Sequence, residues 1–337
     1  MRPYGIVEVM KRKILLFSRV AITFIFIFII WWSLKDKAHE LILNLQLSRK
    51  NWLFLAFLIL TLNIFLIAIR LKMVFSIQKL DLTVKEAMQL SLIGFFFNSF
   101  LPTSIGGDIV KAYYASEKFN HRKVESYAAV LADRTIGLVS ILIIALAALL
   151  IAGEQVLPYN MKLSIFIIFA LVIFLIYFSL NKGFASKFKF ILVILKKLKL
   201  ENIAKRTYIV FNSFKNHKRV SLLVIITSIA AQVVFILIYF ILSKSLSLNL
   251  PFLIFLLFIP VVMAASLIPS LGGTGPREGC FIVLFAGLVG EAKAMALALM
   301  WLGCFLSLGI AGGIVYLLSE YRHIPFKKIK KEMDYDK

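Results

Sequence analysis

Histidine and cysteine are nearly missing from this chain, with four of the first and two of the second in 337 residues. The histidines (His39, His121, His217 and His323) all fall in polar links, so a buried imidazole relay or a histidine metal site has no support. Cys280 and Cys304 sit inside apolar segments without metal-ligand spacing, where a small buried apolar role is expected rather than a disulfide. A phosphate-binding P-loop is also missing. Ser104 and Ser270 have no histidine placed to activate them as nucleophiles. No signal points to catalysis, a cofactor or a metal, and the chain reads as a non-enzyme. Long polar segments are lacking too, which leaves no room for a second, soluble domain within these residues. Acidic residues are scarce, 17 against 39 Lys and Arg for a formal charge of +22. That excess might suggest nucleic acid, but the cations gather in the links between apolar runs, as in cytoplasmic loops of membrane proteins. Nucleic acid is therefore not an expected partner. The N-terminal Lys11-Arg12-Lys13 precedes a long apolar run without a small-residue cleavage pattern, which predicts an uncleaved first span.

What is abundant settles the class. Hydrophobic residues make up 61% and mean hydropathy is +0.92, against roughly 45–50% apolar residues in soluble domains. The chain is expected to be an all-α polytopic membrane protein. Residues 14–34 form the first span, with Trp31 and Trp32 at one interface and Arg19 near the other. The second covers 52–71, closed by Arg70 and Lys72. Residues 78–89 are polar enough to lie at the interface. Further spans are placed at 126–152, 162–180, 221–242 and 292–318. The link 153–161 has no Lys or Arg and reads as outside, whereas 181–220 carries the densest cationic run and reads as cytoplasmic. Within it Phe188, Ile191, Leu192, Leu195 and Leu198 recur at helical spacing among lysines, as in an amphipathic helix on anionic lipid. The tail with Arg322, Lys327, Lys328, Lys330 and Lys331 puts both termini in the cytoplasm.

Two stretches cannot be continuous membrane helices. The first, Asn98-Ser99-Phe100-Leu101-Pro102-Thr103-Ser104-Ile105-Gly106-Gly107-Asp108, carries a proline and a glycine pair between apolar runs. The second, Leu267-Ile268-Pro269-Ser270-Leu271-Gly272-Gly273-Thr274-Gly275-Pro276-Arg277-Glu278, repeats that pattern. Lys111 and Arg277 each lie four residues after the second glycine, and a one-residue gap also matches Pro102 with Pro269. Each stretch is read as a re-entrant hairpin, the first with arms at 90–101 and 108–116 and the second at 251–268 and 276–289. About six transmembrane helices plus two broken hairpins then form an inverted repeat, with halves 14–152 and 162–318. If both hairpins crossed fully, the basic link would move outside, which the charge bias opposes.

A helix that begins inside the bilayer aims unpaired amides and partial positive charge at whatever lies beyond its end, which favours an anion. Asp108 is expected as an N-cap with Lys111 in the first turn; Pro276 suits the first helical position, with Arg277 and Glu278 following. A cation in a first turn opposes the macrodipole by roughly 0.3–1 kcal/mol. A bound phosphate would relieve that conflict, as would pairing with Asp108, Asp133 or Glu278. Asp133-Arg134 reads either as part of a gating or proton-coupled network or as an ion pair that orients helices, and the glycine pairs either approach a ligand or pack helices closely. The candidate substrate contacts are Asn98, Pro102, Gly106, Gly107, Lys111, Gly272, Gly273, Gly275 and Arg277, with Asp108, Asp133, Arg134 and Glu278 as gating or coupling groups.

Three ordered motifs carry a similarity that runs over nearly the whole chain: Asn98 to Pro102 with Gly106-Gly107-Asp108; Asp133-Arg134 with Gly137-Leu138; and Leu271 to Gly279. Together they resemble the flippase-like transmembrane family typified by the membrane half of bacterial lysyl-phosphatidylglycerol synthase/flippase. The resemblance implies movement of an anionic or modified lipid, or a polyprenyl-phosphate-linked intermediate, between leaflets of the cell membrane, with the broken helices lining the headgroup path. The lysyl-transferring relatives carry a large soluble domain, and this chain looks like a stand-alone transmembrane module. Synthesis of the modified lipid is therefore not expected of it. Two other readings stay open: an accessory subunit or embedded enzyme for lipid glycosylation or aminoacylation working with a separate transferase, and an ion or small-solute transporter on the same fold.

Overall fold

The computed structural model describes residues 38–100, 106–119, 122–152, 214, 217–266, 268, 270 and 273–323. The expected spans 14–34 and 162–180, the link 153–161, nearly all of 181–220, Pro102, Ser104, His121, Pro269, Gly272 and the tail beyond His323 lie outside them. Among the described residues there are nine α-helices and no strand. In chain order they are α1 Ala38–Gln46, α2 Lys50–Ile77, α3 Val84–Phe100, α4 Gly106–Lys118, α5 Lys123–Ile151, α6 Lys218–Ser245, α7 Phe252–Ala265, α8 Pro276–Val289 and α9 Glu291–Leu318. An all-α membrane fold is what the composition demands, because in hydrocarbon a helix satisfies every interior backbone group within itself.

Four helices, α2, α5, α6 and α9, have 28 or 29 residues and are apolar enough to cross a membrane. At 1.5 Å per residue they reach about 42 Å, more than the ~30 Å hydrocarbon core requires. Helices α2 and α6 run a few residues beyond the expected 52–71 and 221–242, α5 starts three residues before 126, and α9 matches 292–318 to within one residue. Their outward faces stay apolar: Phe54, Leu58 and Leu62 on α2, Leu222 and Ile226 on α6, and Ile310, Ile314 and Leu318 on α9 are exposed, as lipid contact requires.

The helices beside the two interruptions are shorter, with 17 and 13 residues in α3 and α4 and 14 in each of α7 and α8. One boundary differs from the sequence reading. Residues 78–89 were expected at the interface with a first arm from 90, yet α3 already starts at Val84. A capping box sets that start: the Thr83 amide and hydroxyl both donate to the Glu86 carboxylate (2.9 and 2.8 Å), and the Glu86 amide donates to the Thr83 hydroxyl (3.2 Å). A second difference is α1, an unburied helix in what reads as a charged link.

Two compact units divide the chain. One contains Met1–Leu60, Gly94–Gly107 and Ile236–Ala311. Its core is aromatic: Phe281 stacks on Phe285 at 4.2 Å between ring centroids, and Phe255 and Phe258 of α7 each approach Phe285 of α8 at 5.3 Å. Those contacts pack α7 against α8. Pro260, buried inside α7, cannot donate to the carbonyl one turn back, so the arm carries a built-in weak point. The other unit contains Thr61–Ile93, Asp108–Phe235 and Gly312–Lys337. In it Tyr114 of α4 lies 6.1 Å from Tyr316 and 5.1 Å from Tyr321, which ties the end of α9 and the short 3₁₀ turn Glu320–His323 to α4.

Candidate functional site

In the first unit, the start of α4 is held by α3. The Gly107 amide, one of the donors that a helix start leaves unpaired, donates to Asn98 Oδ1 at 2.7 Å. The approach is so close that a Cβ at Gly107 would overlap the Gly94 carbonyl oxygen and lie 2.7 Å from Asn98 Cγ. Asn98 therefore does the capping that the sequence reading gave to Asp108, because the helix starts two residues before Asp108 at Gly106. Asp108 lies inside the first turn and Lys111 in the second, which corrects the expected placement of both. The dipole cost argued for a first-turn cation thus does not apply to Lys111, whereas an acidic Asp108 suits its position.

Within the second unit, Asp108 is the focus of two cations. Lys111 Nζ stands 3.8 Å from its Oδ1, and Arg134 of α5 donates from Nη1 to its Oδ2. Lys111 is 7% exposed, so its amine is held largely out of water. The preceding residue, Asp133, goes elsewhere: Arg70 of α2 donates to it from Nε at 2.7 Å and from Nη2 at 3.2 Å. Neighbours on a helix project about 100° apart, so α5 carries Asp133 and Arg134 into two separate pairs rather than one. Arg70 Nη1 also donates to the Ser228 hydroxyl of α6 at 2.9 Å. Gln232 Nε2 donates to the Gly137 carbonyl at 3.1 Å, and Asn63 Nδ2 to the Ala231 carbonyl at 2.6 Å. Sequence reasoning took Arg70 as a marker of the interface; it is 6% exposed and Asp133 3%. The available signal was spacing, since Asn63 and Arg70 lie seven residues, or about two turns, apart in an otherwise apolar run and so share a face.

Back in the first unit, α8 starts as its sequence suggests. Gly275 and Gly273 take φ of 97° and 77°, a region that glycine enters without a Cβ penalty. Pro276 is the first helical residue, and Glu278 reaches back to accept the Gly275 amide at 2.7 Å. Arg277 also turns to Glu278, donating from Nε at 2.9 Å and Nη2 at 2.5 Å, with its guanidinium 4.9 Å from the Phe305 ring centroid. Both members are 5% exposed. Tyr239 and Trp301, stacked at 4.4 Å, join Val262, Phe281 and Ala298 around the pair and leave no space of water size.

The sequence candidates therefore fall into four local groups: Asn98 with Gly106 and Gly107; Asp108 with Lys111 and Arg134; Asp133 with Arg70; and Gly273, Gly275, Arg277 and Glu278 at the start of α8. Lys111 and Arg277 belong to different units. Cys280 and Cys304 are free thiols.

Long apolar helices that bury paired arginines, lysine and carboxylates define an integral membrane protein, since intramembrane charges persist only where protein pairs them. The chain belongs to the family described as the lysylphosphatidylglycerol synthase TM region, whose model matches residues 16–313. Membership ties its role to membrane lipids. No curated protein and no solved structure matches the chain.

Proposed function

We propose that the protein is a flippase, a transporter that moves a phosphate-bearing lipid between leaflets without chemically changing it. The observation that carries this reading is the convergence of Lys111 and Arg134 on the single carboxylate of Asp108 at the start of α4. A phosphate offers these cations the same oxygen chemistry that Asp108 supplies, so a headgroup can compete with the carboxylate for them. The desolvation of Lys111 has already been met in folding. Arg277, paired with Glu278 at the start of α8, supplies a second guanidinium of the same kind, and the helix-start amides add fixed partial charge.

On this reading the two interrupted segments are re-entrant hairpins of an inverted repeat in the cell membrane, and both termini are cytoplasmic. The substrate is an anionic phospholipid or a polyprenyl-phosphate-linked headgroup. The basic link 181–220 gathers such lipids at the entry face by surface charge.

The test is lipid movement in phosphatidylcholine vesicles that hold the full chain and a trace of acyl-labelled phosphatidylglycerol, with outer-leaflet label quenched chemically. Wild type should expose inner-leaflet label faster than protein-free vesicles. The double variant Lys111→Gln/Arg277→Gln should slow this at least about tenfold, equivalent to losing ~1.4 kcal/mol of differential interaction. Equal rates for variant and wild type, or equal movement of a labelled lipid without phosphate, would reject the reading.

A further inference from the structure

We propose that Arg70 is a positioning residue: through Asp133 it sets the rotation of α5 and so aims Arg134 at Asp108. Three observations within the second unit support this. The first is the geometry of the fork. Arg70 bonds Asp133 through two different nitrogens, Nε at 2.7 Å and Nη2 at 3.2 Å, while Nη1 reaches Ser228 at 2.9 Å. Three directed bonds from one planar group fix orientation as well as charge, which an ammonium cannot reproduce.

The second is the face of α5 on which the fork acts. Asp133, Ile136, Gly137 and Ser140 share one side of the helix by their spacing. Ser228 Oγ is 3.5 Å from the Ile136 carbonyl, and Gln232 donates to the Gly137 carbonyl. The Arg70 guanidinium lies over Gly137, where a Cβ would stand 3.1 Å from Nη1. A rotation of α5 would break the fork and these bonds together, so this face holds one orientation.

The third is the adjacency of Asp133 and Arg134. With the direction of Asp133 fixed, that of Arg134 follows about 100° around the helix, and there it meets Asp108 on α4. Arg70 touches no part of the Asp108 cluster in any of its three bonds. Its influence on that cluster passes through a single residue step of rigid helix.

The proposal rests on the reading of Lys111 and Arg134 as the phosphate-holding cations only for its functional consequence; the positioning itself is a property of the fold. Two measurements on the full chain separate the two. The first is a double-mutant cycle of thermal melting in detergent with Arg70→Lys and Arg134→Gln. Arg70→Lys keeps the charge beside Asp133 and removes the fork. Arg134→Gln should lower the melting temperature of the wild-type chain, and lower that of Arg70→Lys by less than about half as much, because Arg134 is no longer aimed at Asp108. Equal lowering in both backgrounds overturns the positioning. Should Arg70→Lys not fold, Ser228→Ala loosens the same fork without touching the ion pair, and its cycle with Arg134→Gln is read in the same way.

The second measurement is retention of phosphatidylglycerol after extraction from vesicles of four parts phosphatidylcholine to one part phosphatidylglycerol, followed by native mass spectrometry. Arg70→Lys should cut retention by about the same factor as Arg134→Gln, and the double variant should lose no more. Coupled melting with unchanged retention in every variant leaves Arg70 as the positioning residue and removes the phosphate reading. Uncoupled melting with retention lost in Arg70→Lys refutes the positioning and leaves the phosphate reading intact.

Discussion

Replacing Gly107 by alanine adds one methyl group where α4 comes very close to α3 in the first unit. That methyl would overlap the Gly94 carbonyl oxygen and stand 2.7 and 2.8 Å from Asn98 Cγ and Oδ1. The Gly94 oxygen belongs to the α3 backbone and cannot swing aside as a side chain could. Forcing an extra methyl into such a contact costs about 1–3 kcal/mol. Moving Asn98 instead forfeits the bond from the Gly107 amide, worth ~1 kcal/mol. Alanine returns up to ~1 kcal/mol in helix propensity, so the net loss is about 1–3 kcal/mol. Gly287 of α8 is the control, because it is exposed and a Cβ there meets nothing within 4 Å. Gly287→Ala should be neutral or stabilising by up to ~1 kcal/mol. Thermal melting in detergent by scanning fluorimetry compares the three proteins, and transport in vesicles shows whether any folded Gly107→Ala keeps its function. A Gly107→Ala protein that melts at or above wild type would refute the argument, as would an equal drop in Gly287→Ala.

Asp133→Asn should be among the most damaging single changes, because it leaves Arg70 buried at 6% exposure with no opposite charge. Breaking a buried pair from one side costs about 3–5 kcal/mol, and a variant that melts within a degree or two of wild type would show that water or another carboxylate takes over. Glu86 gives a pH dependence. Partial burial on its own would raise its carboxyl, but bonds from Lys118 and Thr83 outweigh this and hold it below its ordinary 4.5. Its contribution to stability is thus full above the unfolded-state value and fades as pH falls through the lowered one. Wild type should melt higher than Glu86→Gln at pH 7, and the gap should shrink steadily as pH is taken below the ordinary 4.5; a gap that stays the same size throughout the acid range would contradict this.

The helix breaks could be read because proline and glycine act on the backbone where they stand. The start of α8 follows the same logic, with Gly275 at positive φ, Pro276 first in the helix and Glu278 bonded back to Gly275. Thr83 and Glu86 formed an equally local signal at the start of α3, and weighing their spacing above the polarity of 78–89 would have found that helix start. Asp108 went the other way. It had the residue type of an N-cap, but Asn98, nine residues before Gly107, took the Gly107 amide instead. Which side chain reaches a helix start depends on how closely two helices approach, and the glycines at 94 and 107 permit that approach without showing what it brings together.

Charge pairing was the least legible feature. Asp133 and Arg134 read either as members of a gating network or as an ion pair with each other, and each instead pairs with a distant residue, Arg70 and Asp108, 63 and 26 residues away along the chain. By itself the sequence determined that the chain is helical, membrane-embedded, interrupted near residues 102 and 270, and provided with a few charges inside apolar stretches. These follow from hydropathy, period and backbone chemistry, which act over one or two turns. Only the tertiary structure decided which cation faces which carboxylate, because a side chain's direction depends on the rotation of its helix about its own axis. That rotation is set by packing between helices distant in sequence, and a one-residue change turns a charge by about 100°.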